Sequence, residues 1–254
     1  MPRVAVLDCD VYKDFPSDLG FQYYGERTQQ WLSDVDDDAA WSWTQFHVNA
    51  ESIEASRLPD VDDYDGFVIP GSRFNVTDDL PWIPPLVEFI QDAHRQGKAL
   101  FGMCFGHQII AHALGGKVQQ MPPFNFTIDD ISLQPSAQRI LGLPTEKRNL
   151  LLYKAHGYQV IEPPPGAEVV ASSGRTVVEM YRLGDRTFGC QGHPEFTRSV
   201  MDVLLPRVAN LMVEGGVEMA QRVLNEKQPE GEPLRQLARR LLAQGTLDPR
   251  DLGS

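Results

Sequence analysis

Cysteine is scarce in this chain. Three stand among 254 residues (Cys9, Cys104, Cys190), an odd number with no Cys-x-x-Cys pair, which excludes a disulfide framework and a paired-thiolate zinc site. A Lys/Arg-rich run is also missing, and the formal net charge is -12. Phosphate backbones need concentrated positive charge, so neither nucleic acid nor an anionic membrane surface is expected as a partner. No apolar run is long enough to cross a bilayer, and the opening MPRVAVLDCD has no long apolar stretch with a small-residue cleavage site. A reduced, cytoplasmic protein is the expectation. The acidic clusters DVDDD (34–38) and DVDDYDG (60–66) lack the EF-hand ligand spacing and read as solvated loops. With 42% hydrophobic and 23% charged residues the chain has an ordinary globular composition, and its partner is expected to be a small molecule.

Short apolar runs alternate with helical spacings through the first half. RVAVLDCD (3–10), WTQFHVN (43–49), YDGFVIPGS (64–72) and KALFGM (98–103) read as strands, while a long polar and aromatic segment up to about residue 40 reads as loop. Residues 82–97 carry Ile83, Leu86, Val87 and Ile90 at helical spacing, and 105–116 is the next helix. This alternation predicts a mainly parallel sheet with helices on both faces. Beyond residue 117 the segments 126–134, 149–160, 167–173, 176–184 and 186–195 read as short strands, several antiparallel. Residues 199–215 read as a covering helix, and a helical extension or tail fills 216–254.

The stretch GMCFGHQ (102–108) carries the chemistry. Gly-x-Cys-x-Gly between a strand and a helix is the cysteine form of a nucleophile elbow, a tight turn that lifts the reactive atom above the sheet edge. Gly102 and Gly106 supply the close backbone approach, and the free N–H groups of the helix start favour a thiolate at Cys104. A thiolate nucleophile needs an acid/base and an orienter. GCQGHPEFT (189–197) offers His193 and Glu195, two apart on an extended segment that Pro194 imposes on its predecessor. A tetrahedral oxyanion needs preset donors, and IPGS (69–72) offers the backbone of Gly71 or Ser72 beside that of Phe105. Cys9 and Cys190 read as core thiols, and His107 and His112 as helix-surface or hydrogen-bonded side chains. Tyr24, Trp31, Trp41 and Trp43 read as packing aromatics, some of them near the site.

PGS, GMCFGHQ and GCQGHPE, in this order and at these separations, resemble the class I glutamine amidotransferases over roughly residues 3–212. The resemblance implies an α/β, flavodoxin-like three-layer sandwich with a mainly parallel central sheet and a small antiparallel β element. The C-terminal helical extension and the division into 1–215 and 216–254 are the reading of the residues themselves, since the resemblance ends near 212. The resemblance further implies Cys104 as nucleophile, His193 as acid/base and Glu195 as its orienter. Gln108 and the segment KAHGYQV, with His156, Gly157 and Tyr158, would hold the amino and carboxylate groups of a glutamine-like substrate. No metal and no organic cofactor is implied. Pro-Gly-Ser stands where the family usually has Pro-Gly-Gly, and Gly192 where an aromatic usually precedes His-Pro-Glu. These departures look more like the stand-alone γ-glutamyl peptidases, with Gly192 making room for an amine bulkier than ammonia. The alternatives are a glutaminase subunit that feeds a separate synthetase and an inactive binding homologue.

Overall fold

A computed structural model describes residues 1–10, 16, 19–33, 41–49 and 58–248. Its framework is one nine-stranded sheet in the order β2-β1-β3-β4-β9-β8-β7-β5-β6. The strands β1 (Arg3–Asp8), β2 (Ser42–His47), β3 (Gly66–Ile69), β4 (Ala99–Met103) and β9 (Thr187–Cys190) are parallel. The order β2-β1-β3-β4 is that of flavodoxin-like sheets, in which ligands sit beyond the carboxyl ends of the strands. β1, β3, β4 and β9 are buried almost throughout, as their near-continuous apolar sequences require of strands covered on both faces.

The other strands, β5 (Lys117–Leu133), β6 (Asn149–Glu162), β7 (Glu168–Ser172) and β8 (Met180–Leu183), run antiparallel and continue the same sheet. This antiparallel part is four strands wide, and β5 begins nine residues before the apolar pattern at 126 announces it. Its early portion, KVQQMPPFN, is polar and proline-bearing because much of it stands clear of the core.

Helices α2 (Ile83–Arg95) and α3 (Phe105–Ala113) pack on one face with Phe67, Leu100 and Tyr181. On the other face lies α7 (Glu232–Gln244), whose Leu234, Leu237, Leu241 and Leu242 join Phe101 and Phe188. The residues expected as an extension therefore close one side of the central sheet. α5 (Arg198–Val208) and α6 (Gly216–Glu226) cover the β5–β6 arm, with Val200, Met201 and Leu224 against Phe126 and Ile128. A six-residue helix, α4 (Pro135–Ile140), was not expected from the sequence.

The segment read as loop up to residue 40 contains α1 (Tyr24–Ser33). Its buried residues Tyr24, Thr28, Trp31 and Leu32 recur at helical spacing, but two of the four are aromatic and one is polar, which hides the stripe from an aliphatic pattern. Trp31 stacks on Phe101, and Trp41 stacks on Trp43, so the tryptophans are packing residues; of the four aromatics only Tyr24 reaches the site. Cys9 and Cys190 are buried. His107 is fully buried against Tyr181 rather than on a helix surface, and burial pushes it down to about 3, whereas His112 is exposed. The acidic cluster at 34–38 lies outside the described residues, and that at 60–66 forms a turn capped by Asp60. Among the described residues no helix is long and apolar enough to cross a membrane.

Candidate active site

Cys104 sits between β4 and α3 with φ 50° and ψ −103°, and among the described residues no other non-glycine has positive φ. Such a conformation persists only where its surroundings fix it. Here the Cys104 N–H donates to the Cys190 carbonyl (2.9 Å) and the Gly106 N–H to the Pro70 carbonyl (3.1 Å), which pin the elbow to the ends of β9 and β3. The two flanking glycines are required by contact. A Cβ at Gly106 would fall 1.8 Å from the Ile69 carbonyl oxygen, and one at Gly102 would fall 2.5 Å from the Gly106 carbonyl.

His193 follows β9 and is held to β6 through its N–H to the Tyr153 carbonyl (2.9 Å). Its Nδ1 lies 2.8 Å from Glu195 Oε1, and both residues are buried. The Nε2 of His193 makes no hydrogen bond of good geometry with the protein. Burial alone would lower the imidazole pKa, but the Glu195 carboxylate and then the Cys104 sulfur outweigh it and raise it to about 10. Gly71 closes the third side: a Cβ there would lie 2.8 Å from His193 Cε1 and 3.7 Å from Cys104 Cβ. Thus Cys104, His193, Glu195 and Gly71 converge at the carboxyl ends of β3, β4 and β9.

The amide N–H groups of Gly71, Ser72 and Phe105 donate to no acceptor among the described residues. The Ser72 hydroxyl is occupied: it donates to the Cys9 carbonyl (2.9 Å) and accepts from the Phe74 N–H (3.2 Å). Asp10 completes this clamp, accepting from Arg73 N (2.6 Å) and Nε (2.9 Å). The loop that carries Gly71 is thereby tied to the end of β1, a connection that no sequence motif marks.

The convergence point opens into a cavity of about 570 Å³. Gly71, Ser72, Gln108, His156, Gly157 and Tyr158 line it with Cys104 and His193. Phe105 and Glu195 stand behind that wall, both buried. Gln108 Nε2 donates to the Tyr158 carbonyl (2.8 Å) and to Gln191 Oε1 (3.0 Å), so the group that Gln108 can offer a ligand is its oxygen, an acceptor. His156 differs from expectation. Its Nδ1 donates to the Tyr158 carbonyl (2.9 Å) and its Nε2 faces Asn125 Nδ2 (3.4 Å), so both ring nitrogens serve the protein. Burial, with the charge of Lys154, holds His156 well below the usual imidazole range.

Gly192 does not open this cavity. A Cβ there would press on the Leu152 side chain at 3.0 Å, away from the site, so its small size serves strand packing. The room comes instead from Phe74, Met121, Phe124, Leu204, Val208 and Leu211, on elements whose part in the site no motif announces.

Residues 39–209 match the family model of the class-I glutamine amidotransferases. The chain belongs to that family. Among curated relatives, γ-glutamyl peptidase 3 of Arabidopsis thaliana is 33% identical over 177 residues, 67% of this chain and 71% of the relative. γ-Glutamyl peptidase 2 of the same plant is 28% identical over 248 residues, 94% of this chain and 95% of that one. The crystal structure of a glutamine amidotransferase from Thermotoga maritima superposes with a TM-score of 0.67 at 16% identity, covering 95% of this chain and 98% of that one. The fold of this family member is thus that of its family.

Proposed function

We propose that this amidotransferase-family protein is a self-contained hydrolase of γ-glutamyl amide bonds. One observation carries the reading: the elbow sulfur, an imidazole paired with a carboxylate, and unpaired backbone donors meet at one end of a cavity larger than glutamine needs. The names of its peptidase relatives agree with it.

Gln108 Oε1 accepts from the substrate α-ammonium, while Gly157 and Tyr158 bracket the α-carboxylate. The Cys104 thiolate adds to the γ-carbonyl carbon, and the carbonyl electrons move onto oxygen. The N–H groups of Gly71, Ser72 and Phe105 hold that oxyanion. His193, positively charged beside Glu195, gives its proton to the departing nitrogen as the C–N bond breaks, leaving a γ-glutamyl thioester on Cys104. Neutral His193 then takes a proton from water, the hydroxide adds to the thioester, and collapse expels the thiolate with glutamate. No metal or organic cofactor enters these steps.

Phe74, Met121, Phe124 and Leu211 give the same cavity an apolar wall for the leaving amine to meet. This apolar wall favours a substituted amine over ammonia, since apolar contact area is what an alkyl or aryl group offers and ammonia lacks. The test compares glutamate release from free glutamine, γ-glutamyl peptides and γ-glutamyl alkyl or aryl amides. We expect the lone chain to prefer the substituted amides, and Cys104→Ala to lose at least about 10³-fold. Glutaminase activity that appears only with an added synthetase would overturn the reading.

A further inference from the structure

His193 is restrained on one ring face as well as at its edges. Phe196 lies over it with ring centroids 3.9 Å apart and planes 11° apart. Phe196 in turn stacks with Tyr24 at 5.9 Å and 24°. All three rings are buried, and Tyr24 belongs to α1, far from 193–196 in sequence. α1 is anchored at two points: Arg27 Nε donates to the Glu195 carbonyl (2.6 Å), and the Gly25 N–H donates to Asp8 Oδ2 (3.2 Å) at the end of β1.

We propose that Phe196 is a positioning residue for the acid–base imidazole, with Tyr24 as its backing, so that the stacked column fixes the ring plane in which Nε2 meets the Cys104 sulfur. The bond to Glu195 fixes one ring atom and leaves the ring free to tilt about it. The Phe196 face removes that freedom, while the Gly71 backbone blocks the Cε1 edge. An aromatic face is also electronegative, so it favours the imidazolium that accompanies a thiolate. Phe196 also lines the cavity, but a phenyl ring has no proton to exchange and no donor for an oxyanion, so it acts through His193.

The inference rests on the reading that Cys104 and His193 work as a pair, and its test does not require the substrate to be right. In the full chain, the rate of Cys104 alkylation by iodoacetamide near pH 7, read by mass of the modified peptide, is compared in wild type, Phe196→Leu, Phe196→Tyr and Tyr24→Leu. The kcat and KM for a γ-glutamyl amide and the melting temperature are measured beside it. Phe196→Leu should slow alkylation about 10-fold and lower kcat about 10- to 100-fold, with KM within about 2-fold of wild type. Phe196→Tyr should recover most of both losses. Tyr24→Leu should move alkylation the same way by a smaller factor, and it serves as the deciding variant if Phe196→Leu does not fold. Wild-type alkylation and kcat in folded Phe196→Leu would overturn the proposal, as would losses that only follow melting temperature and persist in Phe196→Tyr. If the wild type turns over no γ-glutamyl compound, the functional reading fails and the stack is judged on alkylation alone.

Discussion

Two parts of the cavity are built by opposite means. Around Cys104 the closest restraints are main-chain: a Cβ at Gly102 or Gly106 would come within 2.5 and 1.8 Å of a backbone atom. Elsewhere the lining is made by side chains from the β5 arm and the end of α5, among them Met121, Phe124 and Val208. Backbone carries no residue-specific variation, whereas side chains change with every substitution. On the proposed function, bond breaking would depend on the parallel half, and the choice of leaving amine on the side chains of the β5 arm and α5.

The sharpest way to break this comparison is to place one methyl group in each half. Gly106→Ala drives a Cβ into the Ile69 carbonyl, a backbone atom that cannot move aside. It should cost about 3 kcal/mol or more by urea unfolding and abolish turnover. Gly157→Ala meets only the Phe124 ring, at 3.1 Å, and a side chain can rotate away. There the loss should stay within about 1 kcal/mol. Comparable losses in both variants would erase the distinction.

A milder probe asks whether the apolar wall sets selectivity. Phe124→Ala should lower kcat/KM for a γ-glutamyl aryl amide about 10-fold more than for glutamine, read from glutamate release with each substrate. An equal effect on both would mean that Phe124 serves the shared γ-glutamyl portion.

The smallest effect concerns pH. In the fold His193 titrates at about 10, above its ordinary 6.5, because Glu195 and the Cys104 sulfur outweigh burial. A raised value in a base means stability fully present below about 6.5 and lost as the pH climbs through about 10. Thermal melts of the wild type should decline over that window more steeply than those of His193→Asn. Parallel curves would show that the imidazole is not held in its charged form.

Legibility in the sequence follows the same division. GMCFGHQ and HPE are visible because their glycines and proline restrict the backbone locally, and the structure brings them to one point. Gln108 lies one turn past Cys104 on α3 and lines the cavity. α1 escapes notice because its buried stripe mixes Tyr24, Thr28 and Trp31 with one leucine, so packing rather than pattern makes it a helix. The role first given to Gly192 fails because residue size says nothing about direction, and its missing side chain points at Leu152. For His156 the obstacle is different: only the tertiary arrangement reveals that Asn125 and the Tyr158 carbonyl already occupy its ring.

The leucines of α7 rest on the same strand whose far tip bears the elbow, and Gly231, just before that helix, is so close to Pro194 that a Cβ would lie 2.4 Å from its carbonyl oxygen. Shortening the polypeptide at residue 215 would thus strip the floor from beneath the thiol and the prop from behind the imidazole at one stroke. The described residues from 216 onward support the walls of the cavity although none of them lines it.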